Sequence, residues 1–328
     1  MVTLRIATFN LENFDEVPPN VRPSLAERIT VMRPQIERLQ ADVLCLQEVH
    51  GQERAGQPRA LLALAELLAG TKQAGANVVS TRDPNGQVFD QRNLVVVTSL
   101  PVMARAQLLN TLIAPPMYQI LTANPPAPQP VPILLERPIL HVELDLQGAP
   151  LHVIVVHLKS KLPSNIPGQK VDDFTWRSAD AVAEGSFISS MKRMSQAVEV
   201  RRLVDSILDQ DSGARIVVAG DFNATADEVP LVAIRGDVEE TGNGALAGRV
   251  LVPVENTIPE PARYSLFHHG RGQMLDHILV TRNLLAHYRG TEIHNEVLHD
   301  ESGAFATDIK YPESDHAPVV ATFEFSGY

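Results

Sequence analysis

Cysteine is nearly absent from the 328 residues; Cys45, inside the strand-like run DVLCLQ, is the only one. It reads as a buried, reduced thiol. A disulfide framework and a paired-cysteine zinc site are both excluded. No apolar run approaches the roughly 18 residues of a membrane-spanning helix. The opening MVTLRIATFN lacks a basic stretch followed by a long apolar one, so no signal peptide is expected and a cytoplasmic protein is. No G-x-x-x-x-G-K string is present to cradle a nucleotide, and no internal repeat is found. Positive charge is also short: 28 Lys and Arg face 39 Asp and Glu, a net charge of −11. That argues against tight, salt-driven binding to long polyanions. Transient hydrolysis at a cation-bearing site stays open, because a bound cation and a few local Arg and Lys set the field there.

An apolar content of 44% gives a sizeable core. LRIATFN, DVLCLQEV, NLVVVTS, PILHVELDL, PLHVIVVHL, RIVVAGD, LDHILVT and PVVATFEF read as strands. Leu25, Ile29, Met32, Ile36 and Leu39 form a helical face, and Pro34 within it predicts a kink or a split. RALLALAELLAG reads as a helix stopped by Gly70, and residues 191–210 as an amphipathic helix. Two segments fit no regular element. A proline-rich loop lies near 110–132, and a long polar insertion near 159–190 carries Trp176. Strand signals continue on both sides of each, so residues 1–328 are expected to form one domain, and a monomer is expected.

Polar residues gather where these strands run out. Glu48 ends its strand as a hard oxygen ligand suited to Mg²⁺ or Mn²⁺. Asn10 ends another, where an amide can bind a cation or hold its water. Asp221 and Asn223 stand two apart in GDFNAT, so both point one way if the strand continues. His157 closes HVIVVHL; His152, an odd number of residues away, faces the other side. LDHI supplies Asp276, and SDHAPV supplies Asp315 and His316. His277 reads as packing or substrate-side.

TFNLENF, LCLQEV, VVHLKSK, GDFNAT, LDHI and SDHAPV, in this order over residues 5–325, resemble the endonuclease/exonuclease/phosphatase family of metal-dependent phosphoesterases. The resemblance implies an α/β fold: a four-layer α-β-β-α sandwich with two central mixed sheets. It implies Mg²⁺, replaceable by Mn²⁺, at Glu48, Asn10 and Asp315. It implies Asp221 positioning or deprotonating the attacking water, Asn223 on the transition-state oxygens, and His316 on the phosphate with Asp276 fixing its tautomer. His157 stands where deoxyribonuclease-like and sphingomyelinase-like members carry histidine and abasic-site endonucleases carry tyrosine; it would protonate or stabilise the leaving oxygen. Arg137, Lys159, Lys161 and Arg193, with Asn93 as an orienting residue, are the candidate substrate contacts. Arg193 with Gln196 resembles an R-x-x-Q element of bacterial members. The expected activity is phosphodiester hydrolysis of nucleic acid, with Trp176 stacking a base. A sphingomyelinase-like or small-molecule phosphoesterase is the alternative, and a non-catalytic binding module a distant one.

Overall fold

The computed structural model describes residues 2–307 and 309–325. Strands β1 (Val2–Phe14), β2 (Val43–Val49), β3 (Asn77–Ser80) and β4 (Asn93–Thr98) come first. Then come β5 (Val102–Leu108), β6 (Ile139–Leu146), β7 (Ala149–His157), β8 (Arg215–Asp221), β9 (Val252–Pro253) and β10 (Asp276–Val280). β11 (Tyr288–Ile293) and β12 (Val319–Phe325) close the series. The first and last groups form one sheet, ordered β11-β12-β1-β2-β4-β3. The middle group forms the other, ordered β9-β10-β8-β7-β6-β5. Each sheet is built around one parallel pair, β1 with β2 and β7 with β8; the remaining pairs are antiparallel.

The apolar runs explain the layers. In β7, Leu151, Val153 and Val155 face the other sheet, while Ile154 and Val156 face the helix α3 (Ala179–Gln210). A strand buried on both faces must be apolar throughout, and this one is. The largest core fills the space between the sheets. A second lies under α1 (Leu25–Leu39) and α2 (Leu62–Leu68). A third lies under α3 and α4 (Val229–Arg235). The result is the expected four-layer sandwich with two mixed sheets. Among the described residues no helix is long and apolar enough to cross a membrane.

Three expectations are corrected. α1 runs unbroken through Pro34, started by a Ser24–Glu27 capping box. α2 begins only at Leu62, because Gln57–Ala60 pairs with Gln52–Arg54 in a small hairpin. The polar insertion is shorter than 159–190, since α3 starts at Ala179 behind its N-cap Ser178. Buried Ala181, Glu184, Gly185, Ile188 and Ser189 keep helical spacing, but mostly with small or polar side chains. Glu184 is buried because it accepts hydrogen bonds from Tyr118 Oη and from the Leu121 and Thr122 amides. The proline-rich loop is tied at its base by Met117–Tyr118 pairing with Val131–Pro132. It shares a small core with the insertion through Ala123, Ile133, Ile166 and Ile188, against which Trp176 packs.

On the α3 side of the second sheet, His141 Nε2 lies 3.1 Å from His152 Nδ1, the face predicted for His152. Burial, then the neighbouring imidazole, pushes His141 down to about 4; burial also lowers His152. Unfolded histidines take protons near pH 6.5, the folded pair only lower. The unfolded chain therefore binds more protons between about pH 6.5 and 4, and stability should fall as pH drops through that window. Thermal melts at pH 7 and 5 should show this loss in the wild type and a smaller one in His141→Gln. An equal loss in both would remove the pair as its cause.

Candidate active site

Register alone assembles most of the site. The parallel pairs bring the C-terminal ends of β1, β2, β7 and β8 together at one edge of the sandwich. Asn10 is the partner of Gln47, beside Glu48. His157 is the partner of Asp221, and Asp221 of Asp276. His316 enters just before β12, whose pairing with β1 holds it there.

The contacts follow. Asp221 Oδ2 accepts from Asn10 Nδ2 at 3.2 Å and from Asn223 Nδ2 at 3.0 Å. His157 Nε2 lies 3.4 Å from the same oxygen and 3.5 Å from Glu48 Oε1. His316 Nδ1 meets Asp276 Oδ2 at 2.6 Å, and its Nε2 stands 4.0 Å from Asp221 Oδ2. Asp276 thus fixes the imidazole and leaves Nε2 facing the cleft. Asp221 and Asn223 do not come together by strand alternation. β8 ends at Asp221, and Asn223 turns back with φ 48°, its amide donating to Asp221 Oδ1 at 2.8 Å.

Asn10, Glu48, His157, Asp221, Asn223 and His316 line a cleft of ~540 Å³, with Asp276 buried behind His316. A second cavity of ~350 Å³ adjoins it, and Glu12, Asn13, Glu301 and Asp315 line both. Glu12, Asn13, Glu48, Arg92 and Asn223 all line the cleft with positive φ, between 46° and 59°. Strained backbone of this kind persists only where the surroundings hold it, and it gathers at functional sites.

Burial dominates the electrostatics. It pushes Glu12 up to about 8, helped by Asp315. It lifts Asp221 to about 6 against the pull of His316. It also lifts Asp315 to about 6, with His316 opposing. For His316 burial acts downward, but Asp276 overrides it and holds the ring well above the ordinary histidine range. Burial, then Arg137, keeps His157 well below that range. A ring held low by burial suits donating a hydrogen bond to a leaving oxygen better than protonating it.

A divalent cation fits the acidic end. Buried Asp315 Oδ1 has no hydrogen-bond partner. Glu48 Oε2 accepts from the Asn13 amide, which leaves Oε1 toward the cleft. Glu12 crowds the same place, its Oε2 accepting from the Asp315 amide. Among the described residues no three His, Cys, Asp or Glu side chains form a ready-made cage. Few protein oxygens with water completing the shell is the manner of Mg²⁺.

Of the expected substrate contacts, Arg137 and Lys161 line the cleft. Arg137 donates to Leu158 O, and Lys161 pairs with Glu228 at 2.7 Å. Lys159, Arg193 and Asn93 are not among the lining residues. Lys159 Nζ bonds Ser160 Oγ and Leu162 O, while Arg193 bonds the Lys159 and Ser160 carbonyls. With Gln196, which accepts from the Lys159 amide, Arg193 shapes the loop after His157. Asn93 is buried and bonds Val49 O and the Phe89 backbone. Trp176 is no open platform either, since it packs into the small core with Lys170 over its ring. His277 is wholly buried rather than substrate-side. Glu12 and Arg92 were missed by the sequence reading. Glu12 sits inside TFNLENF and could have been found there; nothing local marks Arg92.

The family model described as Endonuclease/Exonuclease/phosphatase family matches residues 7–316. No sequence match is found among curated proteins. Among solved structures, a mannosyl-6-phosphatase from Bacteroides thetaiotaomicron is 14% identical with a TM-score of 0.58, over 98% of this chain and 100% of that one. Truncated Caenorhabditis elegans TDP2 is 14% identical with a TM-score of 0.56, over 98% and 97%. An AP endonuclease from Archaeoglobus fulgidus is 17% identical with a TM-score of 0.51, over 98% and 100%. At these identities the structures share the fold alone. The match over nearly the whole chain carries the assignment: the chain belongs to the endonuclease/exonuclease/phosphatase family and is a metal-dependent hydrolase of phosphoric ester bonds.

Proposed function

We propose that this chain is an Mg²⁺-dependent phosphodiesterase whose substrate is a nucleic acid strand, cut without strong base preference. One observation supports the diester most: the cleft continues past the acidic residues into the second cavity. A diester needs room on both sides of its phosphorus, whereas a monoester needs only one. Arg92, Arg137 and Lys161 line one compartment and Arg22, Arg28 and Lys310 the other, so basic residues occur on both sides.

Glu48 and Asp315, with Asn10 beside them, would hold the cation, which when bound supplies positive charge to the phosphoryl and leaving oxygens. Asp221 receives the proton of an attacking water, whose oxygen bonds phosphorus as the opposite P–O bond breaks. His316, held by Asp276, donates to a phosphoryl oxygen, while Asn223, whose side-chain N–H groups go to Asp221 and Leu158, holds the Asp221 carboxyl in place. His157 donates to the developing charge, and the departing oxygen takes its proton from solvent.

A second reading is favoured by exposed apolar side chains. Leu121 is 74% exposed, Leu162 68% and Phe174 88%, on two segments that pack against each other, one of which lines the cleft at Leu162. They suit a lipid phosphodiester. Plasmid nicking against choline phosphate release from sphingomyelin, both with Mg²⁺, separates the two. The nuclease reading expects nicking and no release. Release without nicking would replace it.

A further inference from the structure

Asp276 and His277 open β10 and point to opposite faces, as successive strand residues must. Asp276 reaches His316; His277 goes the other way and is wholly buried. Its Nδ1 meets Glu255 Oε1 at 2.5 Å, and its Nε2 meets the Ala224 carbonyl at 2.9 Å. Glu255 is itself buried, on the short 3₁₀ turn Val254–Thr257. A carbonyl only accepts, so Nε2 carries a hydrogen. Burial lowers the affinity of this ring for its proton, but Glu255 more than restores it and raises His277 above the ordinary histidine range.

Ala224 belongs to the turn that carries Asp221 and Asn223. That turn is strained at Asn223, and such strain persists only when several contacts hold it. Upstream, the Phe222 amide donates to Leu275 O at 2.8 Å. Asn223 Nδ2 donates to Leu158 O at 3.0 Å. Downstream, the hydrogen bond from His277 holds Ala224, and the His277 ring sits edge-on to Phe222 with centroids 5.2 Å apart. We infer that His277 and Glu255 are a buried positioning pair that holds the Asp221–Ala224 turn in its reactive shape. The pair touches no substrate; it acts through Asp221 and Asn223. This rests on the reading of the cleft as a phosphodiester site.

The test uses the full chain. Removing one partner alone strands a buried charge and risks unfolding. His277→Phe with Glu255→Leu replaces the ion pair by apolar groups, an exchange that is often neutral for stability. This double variant should melt near the wild type. On bis-p-nitrophenyl phosphate with Mg²⁺ its kcat should fall by roughly ten- to a hundredfold, the scale of small misplacements in an active site. Its KM should stay within about twofold. Glu255→Gln keeps a partner for the ring and the bond to Ala224, so it should lose about fivefold less kcat than the double variant. Hydrogen exchange should speed up across residues 221–226 of the double variant and stay unchanged in β7. That readout holds with no turnover at all, so a failure of the phosphodiester reading stays separate from a failure of the pair. Wild-type kcat with wild-type exchange in the double variant would overturn the inference, as would equal losses of kcat in Glu255→Gln and the double variant.

Discussion

Asp221→Asn should lower kcat at least about a hundredfold, since positioned proton-transfer groups are typically worth 10²–10⁴. The amide keeps the shape and, with its oxygen in the place of Oδ2, the contacts from the Asn10 and Asn223 side chains, but its nitrogen gives the Asn223 backbone N–H no acceptor and it takes no proton from water. Folding should survive. Burial is what raises this carboxyl, so the charged form is costly where it sits, and a neutral amide removes that cost. That relief opposes the loss of the Asn223 backbone hydrogen bond, so the variant should melt near the wild-type temperature while losing turnover. His316→Ala should cost a similar factor, and Asp276→Ala should resemble it, because one 2.6 Å contact makes the two a unit. Their double variant should lose far less than the product of the single losses. Steady-state kinetics on bis-p-nitrophenyl phosphate check this; near-native turnover in Asp221→Asn would remove its role as base.

The sandwich was legible because its strands are apolar on both faces and end in polar strings. Once β7 and β8 pair in parallel, His157 and Asp221 must meet, and the sequence supplies both strand ends. Asp276 and His316 lie 40 residues apart, and only the resemblance joined them before the structure did. What local pattern missed was set by distant contacts. α3 extends back to Ala179 along a face of alanine, glycine, serine and a bonded glutamate, which carries no apolar stripe. Lys159 and Arg193 looked like phosphate contacts because they are basic and follow His157. Their cationic groups are instead committed to carbonyls of the same loop. His277 looked like a packing or substrate-side residue; its partner Glu255 stands on a separate turn 22 residues away. Trp176 was expected to stack a base from the long polar insertion, but it packs against a small core that the insertion shares with the proline-rich loop.

Glu48→Gln should have the second large effect. Glu48 and Asp315 are the two carboxylates best placed for a cation, and the substitution keeps the volume while removing the charge. Cation affinity should fall strongly, so the Mg²⁺ concentration giving half-maximal turnover should rise by at least about tenfold, the equivalent of one lost charge-assisted contact of ~1.4 kcal/mol. Titrating Mg²⁺ into wild type and variant, followed by calorimetry or by turnover, reads this shift. Equal midpoints would take Glu48 out of the cation's shell.

The most direct measurement is turnover of bis-p-nitrophenyl phosphate by the wild-type chain in excess EDTA, before and after Mg²⁺ is restored. The site described here predicts no turnover with EDTA and full recovery with Mg²⁺, absent in Asp221→Asn under the same conditions. Undiminished turnover in EDTA would contradict it.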